Sequence, residues 1–304
     1  MIDRRTFLAA GAAALAAGCR AAPPKDDQAR EAQPDRIAAE SSKRLVAIRS
    51  TLGPGGRLGM AAIDTGSGRE LRFDADSLYS MASTFKLPLA AAVLARVDSG
   101  EMSLEEKLPI PPGKPVANSP AIERYRGEGS LSIVRLCSAI VELSDNAAAN
   151  MLLRRIGGPE ALNRFIRSCG DTVTRLDRFE TELNSNSPGD RRDTTSPAAM
   201  ARLARALVLG DKLSEPSRRH LSTWLTKSVP GHDRLKAGLP SPPWLVGHKT
   251  GTGANGALND VAVAWHSGKP PVVVACYQSG GTADHRVRAA AHAAVGRLVA
   301  EIFA

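Results

Sequence analysis

Ser83-Thr84-Phe85-Lys86 opens an apolar run of helical spacing that continues to Val97. Positions three apart on a helix share a face, so the Ser83 hydroxyl and the Lys86 ammonium can meet. A serine hydroxyl attacks only when a base takes its proton. A lysine can serve if its pKa is depressed, or can relay the proton to another base. Alone the motif is weak, since about one Ser-x-x-Lys arises by chance in a chain of this size and composition. Three more clusters follow. Ser144-Asp145-Asn146 lies where two helical segments join; Ser144 offers a hydroxyl to pass a proton and Asn146 an amide to orient a ligand. A helix N-cap is the competing reading, because these residue types favour helix starts. Lys249-Thr250-Gly251 ends an apolar strand. There a cation and a hydroxyl can hold an anionic group while Gly251 admits a ligand close to the backbone, an ordinary glycine turn being the alternative. Glu180-Thr181-Glu182-Leu183-Asn184 falls in a long loop. A carboxylate working with an amide can aim a hydrolytic water, as against two plain surface acids.

The elements that must hold these residues are legible. Leu58 to Ile63 and Glu70 to Phe73 read as strands around the turn Thr65-Gly66-Ser67-Gly68. Helical patterning or caps mark Phe85–Val97, Leu131–Leu143, Asn146–Ile156, Pro159–Ser168, Pro197–Leu209 and Glu215–Thr226. The stretch from Arg175 to Thr195 is rich in Asn, Ser, Asp and Gly without period, and a loop that long is usually functional or disordered. Strands return at Leu245–Lys249, Val261–Trp265 and Val272–Tyr277, and a last helix covers about Asp284 to Phe303. This order predicts an α/β fold: an antiparallel five-stranded sheet flanked by N- and C-terminal helices, with an all-α part inserted. The α/β part takes about 35–80 and 229–304, the all-α part about 81–228.

Hydrophobic residues are 43% of the 304, enough for a sizeable core, and aromatics only 4%, so that core rests on Ala, Leu, Val and Ile. The formal charge is +9. Its basic residues are scattered without an aromatic-rich stripe, which argues against nucleic acid as a partner. No Cys/His spacing suggests a metal site, and no cofactor is expected. Residues 1–19 read as an export signal: Asp3-Arg4-Arg5-Thr6-Phe7-Leu8 precedes an Ala-rich run too short to span a membrane. The paired arginines resemble a twin-arginine signal, with Asp3 and Ala9 departing from its commonest flanks and leaving ordinary secretion open. Leu15-Ala16-Ala17-Gly18-Cys19 resembles a lipoprotein box in which Cys19 is acylated; cleavage nearby with Cys19 incidental is the alternative. Residues 20–34 read as a tether, with a helix starting at an Asp35 N-cap. A periplasmic monomer is expected, with Cys19 as its membrane anchor if lipidated. Cys137, Cys169 and Cys276 read as buried free thiols.

The last three motifs each arise by chance about once in ten or more chains, and their order and placement multiply that rarity. Together they resemble the class A β-lactamases, over essentially the whole chain from Asp35 onward. Arg178 and Asp193 match the ion pair that closes the family's omega loop, and Trp224 and Gly238-Leu239-Pro240 also fall in place. The resemblance implies hydrolysis of β-lactam antibiotics through an acyl-serine. Ser83 would be the nucleophile, Lys86 its base or relay, and Ser144 the proton donor to the β-lactam nitrogen. Glu180 with Asn184 would hold the deacylating water, Asn146 would orient substrate, and Lys249, Thr250 and Gly251 would receive its carboxylate. The backbone N–H groups of Ser83 and Thr252 would form the oxyanion hole.

Some positions depart from the family. Asn118 stands where an aromatic residue is frequent, and Cys137 faces a partner position occupied by Ala90. Ala82 and Gly253 replace the cysteines of the disulfide-bearing carbapenemase branch. Leu258 replaces a carboxylate-binding arginine, and Arg234 matches the place from which another branch supplies one. Penicillin-binding D,D-peptidases share the serine, lysine and Lys-Thr-Gly logic, as more remotely does a serine-dependent glutaminase. Glu180 and Asn184 argue against both, and the complete catalytic set argues against a non-hydrolytic sensor.

Overall fold

The computed structural model describes residues 25–303. The export signal, Cys19 and residues 20–24 lie outside them. By its contacts the chain divides into a unit 1–40 and a unit 41–304; the expected all-α part falls in the second, as does the expected α/β part from residue 41 onward. Helix α1 runs Lys25–Ser50. Residues 25–34, expected within a tether, are therefore helical. Lys25 to Gln33 is made of strong helix formers apart from its two aspartates, and these carry the helix past Pro34.

Unit 41–304 is built on a sheet drawn from both ends of the chain. β1 (Arg57–Asp64) and β2 (Glu70–Phe73) come before the helical block; β3 (Trp244–Thr252), β4 (Leu258–His266) and β5 (Lys269–Ser279) come after it. Their order is β2-β1-β5-β4-β3, with every neighbouring pair antiparallel. β1 thus pairs with the last strand, Arg57 opposite Ser279, and β3 forms an edge.

Alternation along the strands serves two cores. Val261, Val263, Val273, Ala275 and Tyr277 join the core shared with the helical block. Ala262, Ala264, Val272, Val274 and Cys276 face the other way, toward Leu45 of α1 and Val295, Leu298 and Val299 of the C-terminal helix. Strands covered on both faces read as continuous apolar runs, which is why β4 and β5 were conspicuous in the sequence.

The helical block contains α2 (Lys86–Asp98), α3 (Ile133–Glu142), α4 (Asn146–Ile156), α5 (Gly158–Ser168), α6 (Pro197–Val208) and α7 (Glu215–Thr226). α8 (His285–Phe303) closes the chain. Every residue of α2 from Lys86 to Leu94 is buried, so this helix is the axis of the block. A short helix, Pro120–Tyr125, had no periodicity to announce it. Tyr79–Ser80 pairs with Thr194–Thr195, tying the strand before Ser83 to the end of the long loop.

Cys137, Cys169 and Cys276 are unpaired. Burial raises the thiol pKa of each. Cys169, expected buried, is only half so, because it caps the C-terminus of α5 at the margin of the core of the helical block. Among the described residues no helix is long and apolar enough to cross a membrane, and no three His, Cys, Asp or Glu side chains converge as a metal site.

Candidate active site

Ser83 stands on a single 3-10 turn, Ala82–Phe85, that leads into α2. Side chains three apart eclipse on a 3-10 turn. Lys86 Nζ accordingly lies 2.9 Å from Ser83 Oγ. Ala82, immediately before the serine, has φ of 44°, a left-handed conformation that alanine rarely adopts. Backbone strain of this kind is held by surrounding structure and clusters at functional sites. Strand β3 runs against this turn. A Cβ at Gly251 would sit 2.7 Å from the Met81 carbonyl, so the glycine is required by the approach of the nucleophile's own turn. The sequence had suggested a ligand there instead.

Lys86 is wholly buried and saturated with acceptors. Besides Ser83 it reaches Glu180 Oε1 at 3.0 Å, the Ser144 carbonyl at 2.9 Å and Asn146 Oδ1. Burial lowers its pKa, and the neighbouring Glu180 carboxylate only partly opposes that. Ser83 Oγ is 3.3 Å from the same Glu180 oxygen. A lysine whose charge is disfavoured, beside both a hydroxyl and a carboxylate, is suited to accept and pass on a proton.

Ser144 bridges two lysines. Lys249 Nζ donates to its hydroxyl at 3.0 Å and Lys86 Nζ lies 3.4 Å away. The pKa of Lys249 falls well below the ordinary value, first through burial and then through the positive charges of Lys86 and Arg234. Within Ser144-Asp145-Asn146 the two readings of the sequence divide by residue. Asp145 is the N-cap of α4, accepting from Ala148 N at 2.8 Å, and its other oxygen holds Ala121 N and Ile122 N. Ser144 and Asn146 turn to the cavity.

Glu180 is positioned from both sides. Asn184 Nδ2 donates to its Oε2 at 2.6 Å. Asn150, which the sequence reading passed over, grips its backbone: Glu180 N donates to Asn150 Oδ1 and Asn150 Nδ2 donates to the Glu180 carbonyl, both at 2.9 Å. The signal for Asn150 was its place four residues after Asn146, a second amide on the same face of a helix that is otherwise apolar as far as Leu153. At the base of the loop Arg178 Nε meets Asp193 Oδ2 at 2.6 Å, and Asp193 Oδ1 takes the backbone N–H groups of Asp177 and Arg178. Asp193 is fully buried, so this expected pair is also a turn-closing clamp.

Arg234 is only 4% exposed, which excludes a solvated surface role. Its Nη1 donates to the carbonyls of Gly251 and Asn259 at 2.9 and 2.8 Å, and Nη2 to Thr252 Oγ1 at 2.8 Å. Behind it lies a buried pair absent from the sequence reading. Asp260 accepts from Leu235 N at 3.2 Å and meets His248 Nδ1 at 3.0 Å. Burial would raise the Asp260 pKa, but His248 and nearby positive charge hold it below the usual carboxylate value.

The site borders a cavity of about 370 Å³ lined by Ser83, Ser144, Asn146, Asn184, Thr250 and Thr252 together with Asn118, Leu143, Pro230 and Arg234. Asn118, at φ of 59°, donates to the Ser144 carbonyl and so braces the wall where an aromatic residue had been looked for. Lys86, Glu180 and Lys249 sit one layer beneath the surface of that cavity, through the contacts above. The catalytic and substrate-binding candidates from Ser83 to Thr252 therefore converge on one place, while Arg178 and Asp193 close the loop at its base. Cys19 lies outside the described residues.

Comparison with known proteins agrees with this geometry. The model of the β-lactamase enzyme family matches residues 41–303. The carbapenem-hydrolyzing β-lactamase KPC of Klebsiella oxytoca is 43% identical over 248 residues, 81% of this chain and 84% of that protein. β-Lactamase AST-1 of Nocardia asteroides is 41% identical over 93% of this chain and 90% of its own length. Among solved structures, the class A β-lactamase of the last common ancestor of Gram-negative bacteria superposes with a TM-score of 0.83 at 48% identity, covering 87% of this chain and 99% of that one.

Proposed function

The chain belongs to the β-lactamase enzyme family, as a class A member, and from that membership we propose that it hydrolyses the β-lactam amide bond through an acyl-enzyme at Ser83, conferring resistance to β-lactam antibiotics. The observation that carries this reading is the Ser83–Lys86–Glu180 triangle, with Lys86 Nζ 2.9 Å from the hydroxyl and 3.0 Å from the carboxylate.

In the first half-reaction Lys86, directly or in relay with Glu180, takes the Ser83 proton as Oγ bonds to the β-lactam carbonyl carbon. The N–H groups of Ser83 and Thr252 stabilise the charge that develops on oxygen. As the C–N bond breaks, Ser144 passes a proton to the departing nitrogen and is resupplied by Lys86. In the second, Glu180 takes a proton from a water oriented with Asn184; the hydroxide adds to the acyl carbon, and the Ser83 oxygen leaves with its proton restored. Lys249, Thr250 and Arg234 hold the substrate carboxylate at one end of the cavity, Gly251 keeps β3 close to the serine, and Asn146 orients the other end. A chromogenic cephalosporin tests the reading. Continuous colour change supports it; a single stoichiometric burst would point to a D,D-peptidase instead.

We propose further that the protein is exported to the periplasm under its paired-arginine signal, with Cys19 lipidated as the anchor, and acts as a monomer. Firm membrane retention needs more than one acyl chain. The wild type should fractionate with membranes and Cys19→Ala should release it or block processing. A mature N-terminus mapped beyond Cys19 would remove the anchor.

A further inference from the structure

One row of residues across the sheet faces the segment that carries Ser83. Gly251 of β3 pairs with Asn259 of β4, Asn259 with Tyr277 of β5, and Tyr277 with Gly59 of β1. Residues directly opposite on neighbouring strands share a face. Each member of this row meets Tyr79–Thr84. A Cβ at Gly59 would lie 2.6 Å from the Tyr79 ring, as one at Gly251 would crowd the Met81 carbonyl. Asn259 Nδ2 donates to the carbonyls of Ser80 at 2.9 Å and Met81 at 3.1 Å. Tyr277 Oη is 2.9 Å from Thr84 Oγ1, which donates to the Met81 carbonyl, also at 2.9 Å. Thr84 has a single hydroxyl proton, so Tyr277 is the donor of that pair. Asn259 and Tyr277 are both wholly buried.

These bonds converge on the Met81 oxygen, which lies in the same rigid peptide plane as the Ala82 nitrogen. The left-handed φ of Ala82 is the rotation about the bond leaving that nitrogen. An alanine stays in this region only while its surroundings hold it there. The 3-10 turn has no side-chain cap of its own, so the hold comes from the sheet. Fixing the Met81 oxygen fixes the plane, and with it the direction in which the chain enters Ser83. Asn259 is itself anchored, because its Oδ1 accepts from Gln278 N at 3.4 Å and its backbone carbonyl from Arg234.

We propose that Asn259, with Tyr277 beside it, is a positioning residue for the nucleophile. It pins the Met81 carbonyl, holds Ala82 in its strained conformation, and so sets the aim of the Ser83 hydroxyl and backbone N–H. The inference rests on the β-lactamase reading of the site. Arg234 is bound by the backbone carbonyl of Asn259, which side-chain substitution keeps, so binding and acylation should separate.

The test is a single-turnover measurement with enzyme in excess over a chromogenic cephalosporin, which reads the limiting acylation rate and the half-saturating concentration separately. In Asn259→Ala the limiting rate should fall about tenfold or more, toward the roughly hundredfold that an ångström of misplacement costs. The half-saturating concentration should be unchanged. If that variant does not fold, Tyr277→Phe decides, since it deletes one hydroxyl from the same row; it should slow acylation with the same separation. A wild-type acylation rate in folded Asn259→Ala, or in Tyr277→Phe where it stands in, would overturn the proposal. So would rate and half-saturation worsening together in step with a lowered melting temperature, the signature of a merely structural role. Absence of any colour change with the wild type would overturn the β-lactamase reading and this inference with it.

Discussion

Lys86 Nζ and Glu180 Oε1 stand 3.0 Å apart with neither side chain exposed to solvent, and Ser83 Oγ is in reach of both. Two opposite charges buried in such contact are costly to assemble and costlier to halve, since removing one leaves the other unpaired. A pair of this kind stabilises little by itself. It is suited to moving a proton over a short distance without solvent, and that arrangement organises the expectations that follow.

Ser83→Ala should abolish covalent labelling by penicillin, because it removes the hydroxyl that both Lys86 and Glu180 reach. Intact-protein mass spectrometry decides it. An adduct of undiminished yield would move the nucleophile elsewhere, with Ser144, bridged between two lysines, the first candidate.

Glu180→Ala should behave differently. Lys86 loses the carboxylate that opposes its depressed pKa, and so remains able to take the Ser83 proton. The hydrolytic water loses its base. Acyl-enzyme should accumulate while turnover falls about a hundredfold or more, the range of general-base loss. Near-normal steady-state turnover would take Glu180 out of deacylation.

Arg234→Ala should raise KM for penicillins by roughly 1.5–3 kcal/mol of lost binding, the range for a hydrogen bond to a charged group. Its donors hold Thr252 and the carbonyls of Gly251 and Asn259, so part of the loss comes through displaced β3 and β4. Arg234→Lys should recover only a fraction, because an ammonium cannot span three acceptors as the planar fork does. Unchanged kinetics in a folded alanine variant would leave carboxylate binding to Lys249 and Thr250.

Acid should weaken the fold through His292. This fully buried imidazole donates from Nε2 to the Leu258 carbonyl at 2.9 Å, and burial lowers its pKa from 6.5 to about 4. The unfolded chain therefore takes up a proton that the native state refuses. The neutral-His contribution is complete above pH 6.5 and is lost as pH falls toward 4, amounting to about 3 kcal/mol over that window. Denaturant unfolding at pH 7 and pH 4.5 measures it. His292→Gln, which keeps a donor, should flatten the slope; an equal slope in the variant would assign the acid sensitivity to another group.

Most of the strands and long helices were legible because each carries its own period or caps, as in the Asn146–Ile156 and Glu215–Thr226 helices. The short motifs were legible because each is contiguous. Asn150 and the Asp260–His248 pair were not: Asn150 acts on Glu180, distant in the chain, and His248 meets Asp260 only once β3 and β4 are in register. Gly251 was noticed for a ligand but serves the Met81 carbonyl, a distinction that needs the tertiary approach. The tether reading fails from 25 onward because a segment rich in Ala and charge suits a helix as well as a linker.

The pairing of Arg57 with Ser279 has a consequence for how the molecule comes into being. As the chain is synthesised, β1 must wait for the last strand of the sheet before its inner edge is covered, and contacts so distant in sequence form slowly. Until then its open edge invites pairing with other chains. A chain terminated anywhere short of β5 is thus left with β1 paired to β2 alone, and β4 and β3, which carries Lys249 and Thr250, lose the strand that joins them to β1. Premature stop codons late in the reading frame should therefore be as silent in activity as early ones, with the product recovered in the insoluble fraction or degraded.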